Sequence, residues 1–195
     1  MPRKPRVLLD GGIYHVFNRG NDRRVLFGEE RDYLFFLHTL DAALKLFSAE
    51  LYHYCLMPNH FHFLLKIREK DDLSSLMHRL QLSYARYFKK TRTFSGHVFQ
   101  ERFRSPLILK ESYYLQCGRY IERNPVKTQL VQDGADYPYS SARFYAYGVK
   151  NPWVTPNPYY QQMGSSDQER QRRYREFLAF DEPYTTMLDD ILIKV

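Results

Sequence analysis

The sequence predicts an α+β fold of the ferredoxin-like (split βαβ) type, an antiparallel sheet with an added helix and a C-terminal extension. Three observations carry this reading. Short apolar runs at 13–18, 51–57 and 60–67 alternate with the period of two expected of strands. Longer runs at 29–47 and 72–90 place apolar residues at i, i+3 and i+4, the spacing of amphipathic helices. Their order along the chain, strand, helix, strand, strand, helix, with further short strands after them, is that of a split βαβ unit.

Each element has a local reason. "IYHVFN" (Ile13–Asn18) alternates, and the basic, turn-rich "RGNDRR" ends it. The helix over 29–47 presents Leu34, Leu37, Leu40, Ala43 and Leu44 at helical spacing. Leu51–Met57 and His60–Ile67 flank Pro58 and Asn59, which punctuate a hairpin. The helix over 72–90 carries Leu73, Leu76, Leu80, Tyr84 and Tyr87 on one side, with Asp71 or Asp72 available as a cap. After a turn at Gly96, His97–Arg102 and Pro106–Leu109 read as short strands, and Ser112–Arg123 as a helix stopping before Pro125. From about Lys150 the composition shifts to Pro, Asn, Tyr and Gly and then to the polar "QERQRRYREFLAF". The expected division is therefore a main domain over 1–149 and a basic, aromatic extension over 150–195. There, Tyr174, Phe177 and Leu178 sit at docking spacing.

The chain has 195 residues, of which 44% are hydrophobic and 16% aromatic, enough to bury one good core. Its net charge of +7 favours a polyanionic partner, and no run reaches the ~18 apolar residues that span a bilayer. Nucleic acid is expected rather than membrane. The cations cluster at Pro2–Arg6, at Arg19, Arg23 and Arg24, at Arg86, Lys89 and Lys90, at Arg102 and Arg104, and at Arg172 and Arg173. Tyr and Phe lie near most of them, a mixture suited to neutralising phosphates and stacking bases of single strands. Each cluster alone also fits an ordinary solvated surface. Two cysteines, Cys55 and Cys117, support neither a disulfide framework nor a zinc ribbon, and "PRKPR" lacks an apolar signal region, so a cytoplasmic protein is expected.

The candidate chemistry begins in "CLMPNHFHFLLK" (Cys55–Lys66). Alternation puts His60 and His62 on one face of a strand and Phe61, Phe63 and Leu65 on the other. Two imidazoles on one face are either a pair of metal ligands or half-buried, hydrogen-bonded histidines. In "RYIERNPV", Tyr120 and Asn124 are four residues apart and share a helical face. The amide oxygen of Asn124 with two imidazoles would make a three-ligand site with open positions for a phosphate oxygen and water. Among tyrosines on predicted helices, Tyr84, Tyr87, Tyr113 and Tyr114 have Phe88, Thr91, Cys117 and Gly118 at i+4, none a ligand for a hard cation. Tyr147 is followed by Asn151, but Gly148 and Pro152 interrupt that helix. Tyr120 is then a candidate nucleophile against a polarised phosphorus, or a packed helical tyrosine.

At these residues the chain resembles a known family. "MPNHFHFLL" is similar to the HUH motif (His, hydrophobic, His) of the single-tyrosine transposases of the IS200/IS605 type, and "YIERNPV" to their catalytic helix. "GHVFQERFRSPLI" and the Asn-Pro-Val after the tyrosine resemble the REP-associated branch, linked to bacterial repetitive extragenic palindromes. The resemblance runs from about Gly12 to Gly148. It implies cleavage of single-stranded DNA next to a hairpin, a 5′-phosphotyrosine on Tyr120, and Mg²⁺ or Mn²⁺ on His60 and His62. It also implies a bacterial protein associated with the nucleoid when bound to DNA. Asn124 departs from the glutamine usual in the insertion-sequence enzymes and matches the REP-associated branch. Those enzymes act as dimers, whereas the REP-associated branch favours a monomer, with a homodimer as the alternative.

Two rivals follow from the same residues. A nucleotide phosphoesterase of the HIT type needs a third alternating histidine, and that position is Leu64. A non-catalytic hairpin or single-strand binder derived from a transposase would keep the basic and aromatic residues. It would have no need for His60, His62, Tyr120 and Asn124 together.

Overall fold

A computed structural model describes residues 6–180. Strands β1 (Ile13–Arg19), β2 (Glu50–Met57) and β3 (His60–Lys66) form an antiparallel sheet in the order β1-β3-β2. The helices are α1 (Glu30–Leu46), α2 (Asp72–Arg92), α3 (Ser112–Lys127), α4 (Ala142–Tyr147), α5 (Pro158–Gln161) and α6 (Asp167–Ala179). Residues 181–195, and all of the Pro2–Arg6 cluster except Arg6, lie outside the described residues.

The alternation in β3 sorts the sheet into two buried faces. Phe61, Phe63 and Leu65 join Tyr14 and Val16 in the larger core under α1 and α2, where Phe36 of α1 lies 5.2 Å from Phe61 between ring centroids. Burial at this face uses Tyr33, Phe36, Leu37, Leu40, Ala43 and Leu44 of α1. Leu34, expected on that stripe, is 39% exposed, because the helical phase centres on the two aromatics. Asp32, fully buried, closes a capping box with Glu29 and accepts hydrogen bonds from Tyr87 and Arg92, which clamps α1 to α2. Asp71 occupies the N-cap of α2 in helical conformation, and its side chain makes no capping bond.

Both sheet edges are covered. Along β1 the segment 97–109 occupies the fourth-strand position through isolated bridges Tyr14↔Leu107, Phe17↔Arg104 and Gly20↔Phe99. It does not form the two continuous strands expected, since Pro106 has no N–H to donate and the ladder is interrupted there. Along β2 the edge is closed by Leu56 N–H to Tyr139 O and Thr155 N–H to Leu51 O, 2.9 and 2.8 Å.

Helix α3 covers the other sheet face. It runs through Pro125 to Lys127 rather than ending before the proline. Pro125 supplies no N–H to the carbonyl of Ile121, and the side-chain amide of Asn124 donates to that oxygen instead, at 3.1 Å. Close approach to β2 depends on Gly118, where a Cβ would meet the ring of His53 at 2.5 Å. Residues 150–179 return to this region, burying Tyr160, Tyr174 and Leu178 with Tyr145 and Ala146 of α4. The docking spacing in α6 is thus used within the chain. Among the described residues no helix is long and apolar enough to cross a membrane.

Candidate active site

The face of the sheet under α3 carries four histidines, set there by register. Across β1 and β3, His15 faces Leu64, Phe17 faces His62 and Arg19 faces His60; across β2 and β3, Cys55 faces His62 and His53 faces Leu64. His60, His62 and His15 therefore share a face with α3, as the alternation in β3 requires.

Hydrogen bonds fix the rings. His60 donates from Nδ1 to Asn59 Oδ1 at 2.6 Å, since an amide oxygen only accepts, and its lone pair is left on Nε2. Nδ1 of His62 lies 2.9 Å from Nε2 of His15, so one ring donates and the other accepts. The centroids of His60 and His62 are 5.1 Å apart. Burial, then the Arg19 charge, pulls the His60 pKa down to about 4, and burial pulls that of His15 down to about 3. Burial first, then His15, His60 and Lys127, holds His62 well below the usual imidazole value. All three rings are thus neutral near pH 7, the form in which imidazole binds metals.

Tyr120 projects from α3 edge-on to this cluster, 5.9 Å from His62 and 5.7 Å from His15 between ring centroids. Lys127, seven residues on, sets its ammonium 4.3 Å over the Tyr120 ring. Asn124, between them, commits its NH₂ to the carbonyls of Tyr120 and Ile121, at 2.9 and 3.1 Å, leaving Oδ1 as its acceptor atom. Tyr113 and Tyr114 are turned to other neighbours, the Lys110 ammonium at 5.4 Å and the Tyr159 ring at 5.3 Å.

His60 and His62 open into a groove of about 540 Å³ lined also by Phe17, Arg19, Arg23, Arg102 and Arg104. The ten cations expected on DNA separate into groups. Four of them line this groove. Arg24 stacks 3.8 Å over Phe94. Arg86 and Lys90 line a second groove with residues of α1, and Lys89 is exposed in the last turn of α2. Arg172 and Arg173 pair along α6 with Glu176 and Glu169, at 2.7 and 2.6 Å.

Among the described residues no three His, Cys, Asp or Glu side chains are grouped to hold a metal ion. The donor set that fits one is two neutral imidazoles, each with Nδ1 engaged, joined by an amide oxygen or a substrate oxygen.

Sequence reading did not single out His15, His53, Glu122 or Lys127. His15 stands in "IYHVFN" on the alternate phase from Tyr14 and Val16, which was the available signal. Glu122 is fully buried two residues past Tyr120 and accepts from Ser141 Oγ, from Tyr174 OH at 2.6 Å and from His53 Nδ1 at 2.9 Å. Asn157 Nδ2 donates to His53 Nε2 at 3.1 Å, which places the His53 proton on Nδ1. This network ties the helix bearing Tyr120 to the C-terminal segment.

Residues 10–124 match the profile of the family described as transposase IS200 like, a span that holds His15, His60, His62, Tyr120 and Asn124. A Haemophilus influenzae protein assigned as a REP-associated tyrosine transposase is 32% identical over 97 residues, 45% of this chain and 55% of that relative. The chain thus spans about half the length of that curated relative. A solved REP-associated tyrosine transposase bound to a REP hairpin superposes with a TM-score of 0.65 at 23% identity, covering 80% of this chain and 93% of that one. The mixed three-stranded fold and the family match over more than half of the sequence agree: the chain belongs to the IS200-like family of single-tyrosine transposases, and its likeness within that family is to the REP-associated branch.

Proposed function

We propose that this protein cleaves and rejoins single-stranded DNA beside a hairpin, of the repetitive extragenic palindrome type, with Tyr120 as nucleophile. The observation that carries this is the placement of Tyr120 edge-on to His62, which itself lines a groove with four arginines. The Tyr120 oxygen attacks phosphorus, the P–O3′ bond breaks, and the phenol proton is given up as a 3′-OH leaves. The product is a 5′-phosphotyrosine. It keeps the bond energy, so the reverse attack by a 3′-OH rejoins strands without ATP.

His60 and His62 are the residues that would hold Mg²⁺ or Mn²⁺, with Asn124 Oδ1 as a third donor. The ion supplies charge neutralisation at the nonbridging oxygens. Around it, Arg19, Arg23, Arg102 and Arg104 hold the backbone, the four cations of the groove. Arg24, Arg86, Lys89, Lys90, Arg172 and Arg173 serve as outer contacts. Binding as a monomer is consistent with Tyr120 and the histidines coming from one chain.

The test is incubation of the protein with single-stranded DNA carrying a palindromic hairpin and Mn²⁺, followed by denaturing electrophoresis. A denaturation-resistant adduct on the 5′-phosphate is expected, lost on chelation and in Tyr120→Phe. An adduct in Tyr120→Phe refutes the nucleophile. Cleavage with no adduct indicates a nuclease using water. Hairpin binding with no cleavage indicates the non-catalytic binder.

A further inference from the structure

We infer that His15 is a positioning residue that sets the tautomer of His62. This rests on the proposal that His60 and His62 hold a metal ion. For His62 to present a lone pair from Nε2, its proton must sit on Nδ1, because a neutral imidazole carries one N–H. The atom facing Nδ1 is Nε2 of His15, at 2.9 Å, and both rings are buried, His15 completely. In the ligating arrangement His62 donates and His15 accepts. In the reverse arrangement His15 donates, and the His62 proton moves to Nε2 and blocks it.

The placement of His15 is over-determined. Its ring stacks at 5.1 Å on His62, lies 5.0 Å from Phe17 and meets the edge of Tyr120 at 5.7 Å, so it cannot swing away without displacing the nucleophile's neighbours. Its other nitrogen, Nδ1, is buried with no hydrogen-bond partner. That nitrogen must carry the proton when Nε2 accepts. Loading of His62 is thereby coupled to the tautomer of His15, and the uncompensated N–H opposes loading. His60 has no such coupling, since its partner is an amide oxygen that can only accept.

The experiment uses the full chain. Mn²⁺ affinity is read from free Mn²⁺ by electron paramagnetic resonance, and tautomers from ¹⁵N shifts of labelled histidines in Mg²⁺-saturated protein. His15→Phe keeps an aromatic ring and deletes the acceptor; affinity is expected to fall about 10-fold or more, the range for partners of metal-bound histidines. His15→Gln places an amide oxygen near the position of Nε2 and is expected to restore binding. With Mg²⁺, His62 and His15 should both be protonated on Nδ1, a signature that general loosening of the core would not produce. Equal Mn²⁺ affinity in His15→Phe, or a His62 proton on Nε2 with Mg²⁺ bound, overturns the inference while leaving the metal site standing. Absence of Mn²⁺ binding by the unsubstituted protein overturns the metal site and the inference together.

Discussion

Tyr174→Phe removes one oxygen atom from the packing of α6 on α3 and leaves the ring in place. The phenol of Tyr174 is fully buried and donates to Glu122 Oε2 at 2.6 Å, a length in the range of hydrogen bonds to ionised acceptors. Burial first, then the Glu122 carboxylate, pushes the phenol pKa well up, so Tyr174 stays a donor through any ordinary pH. Glu122 keeps His53 and Ser141, so the loss is one bond of three rather than a stranded carboxylate. Such a bond contributes ~1.5–3 kcal/mol. For a domain of this size that corresponds to a fall in Tm of roughly 3–12 °C. Urea denaturation followed by circular dichroism measures the free energy, and a double-mutant cycle with Glu122→Met, which removes the acceptor, isolates the pair. A loss below ~0.5 kcal/mol, or a cycle with no coupling, would refute the view that this hydrogen bond holds α3 to the C-terminal segment.

The other expectations concern metal, acid, salt and chain length. His60→Ala and His62→Ala should each abolish Mn²⁺ binding and the adduct, whereas Tyr120→Phe should lose the adduct and keep Mn²⁺, both read by titration and gel. Asn124→Ala should impair the reaction without eliminating it, since water can replace its oxygen; stability should fall by ~1 kcal/mol as the Ile121 carbonyl loses its donor, measured by denaturation. Acidification should destabilise the protein. His15 is neutral in the fold down to about pH 3 while the unfolded chain takes up its proton near 6.5, so stability is full above pH 6.5 and falls by roughly 2 kcal/mol by pH 5. Hairpin DNA should bind more tightly than blunt duplex with a steep salt dependence, and charge removal at Arg102 and Arg104 should flatten the slope by about 0.9 for each phosphate no longer neutralised. Deletion of residues 150–195 takes away Tyr174 and Asn157, the partners of Glu122 and His53, and a lowered Tm is expected alongside any change in hairpin affinity.

What the sequence by itself determined was local. Period-two alternation fixed which side chains of β3 share a face, so His60 and His62 stand together and Phe61 and Phe63 go to the core, because the strand geometry is independent of what surrounds it. Helical spacing likewise placed Tyr120 and Asn124 on one face of α3. The same local reasoning ended α3 before Pro125, because it could not see that the Asn124 side chain would stand in for the missing N–H. Tertiary structure decided what depends on pairing between distant segments. His15 meets His62 only through the β1–β3 register, across 47 positions of sequence, and His53 meets Glu122 only once α3 lies on β2 at Gly118. The basic clusters were legible as charge, yet only the fold separates the arginines that line the histidine groove from those of α6 that pair with their own helix, since charge along a chain carries no direction in space.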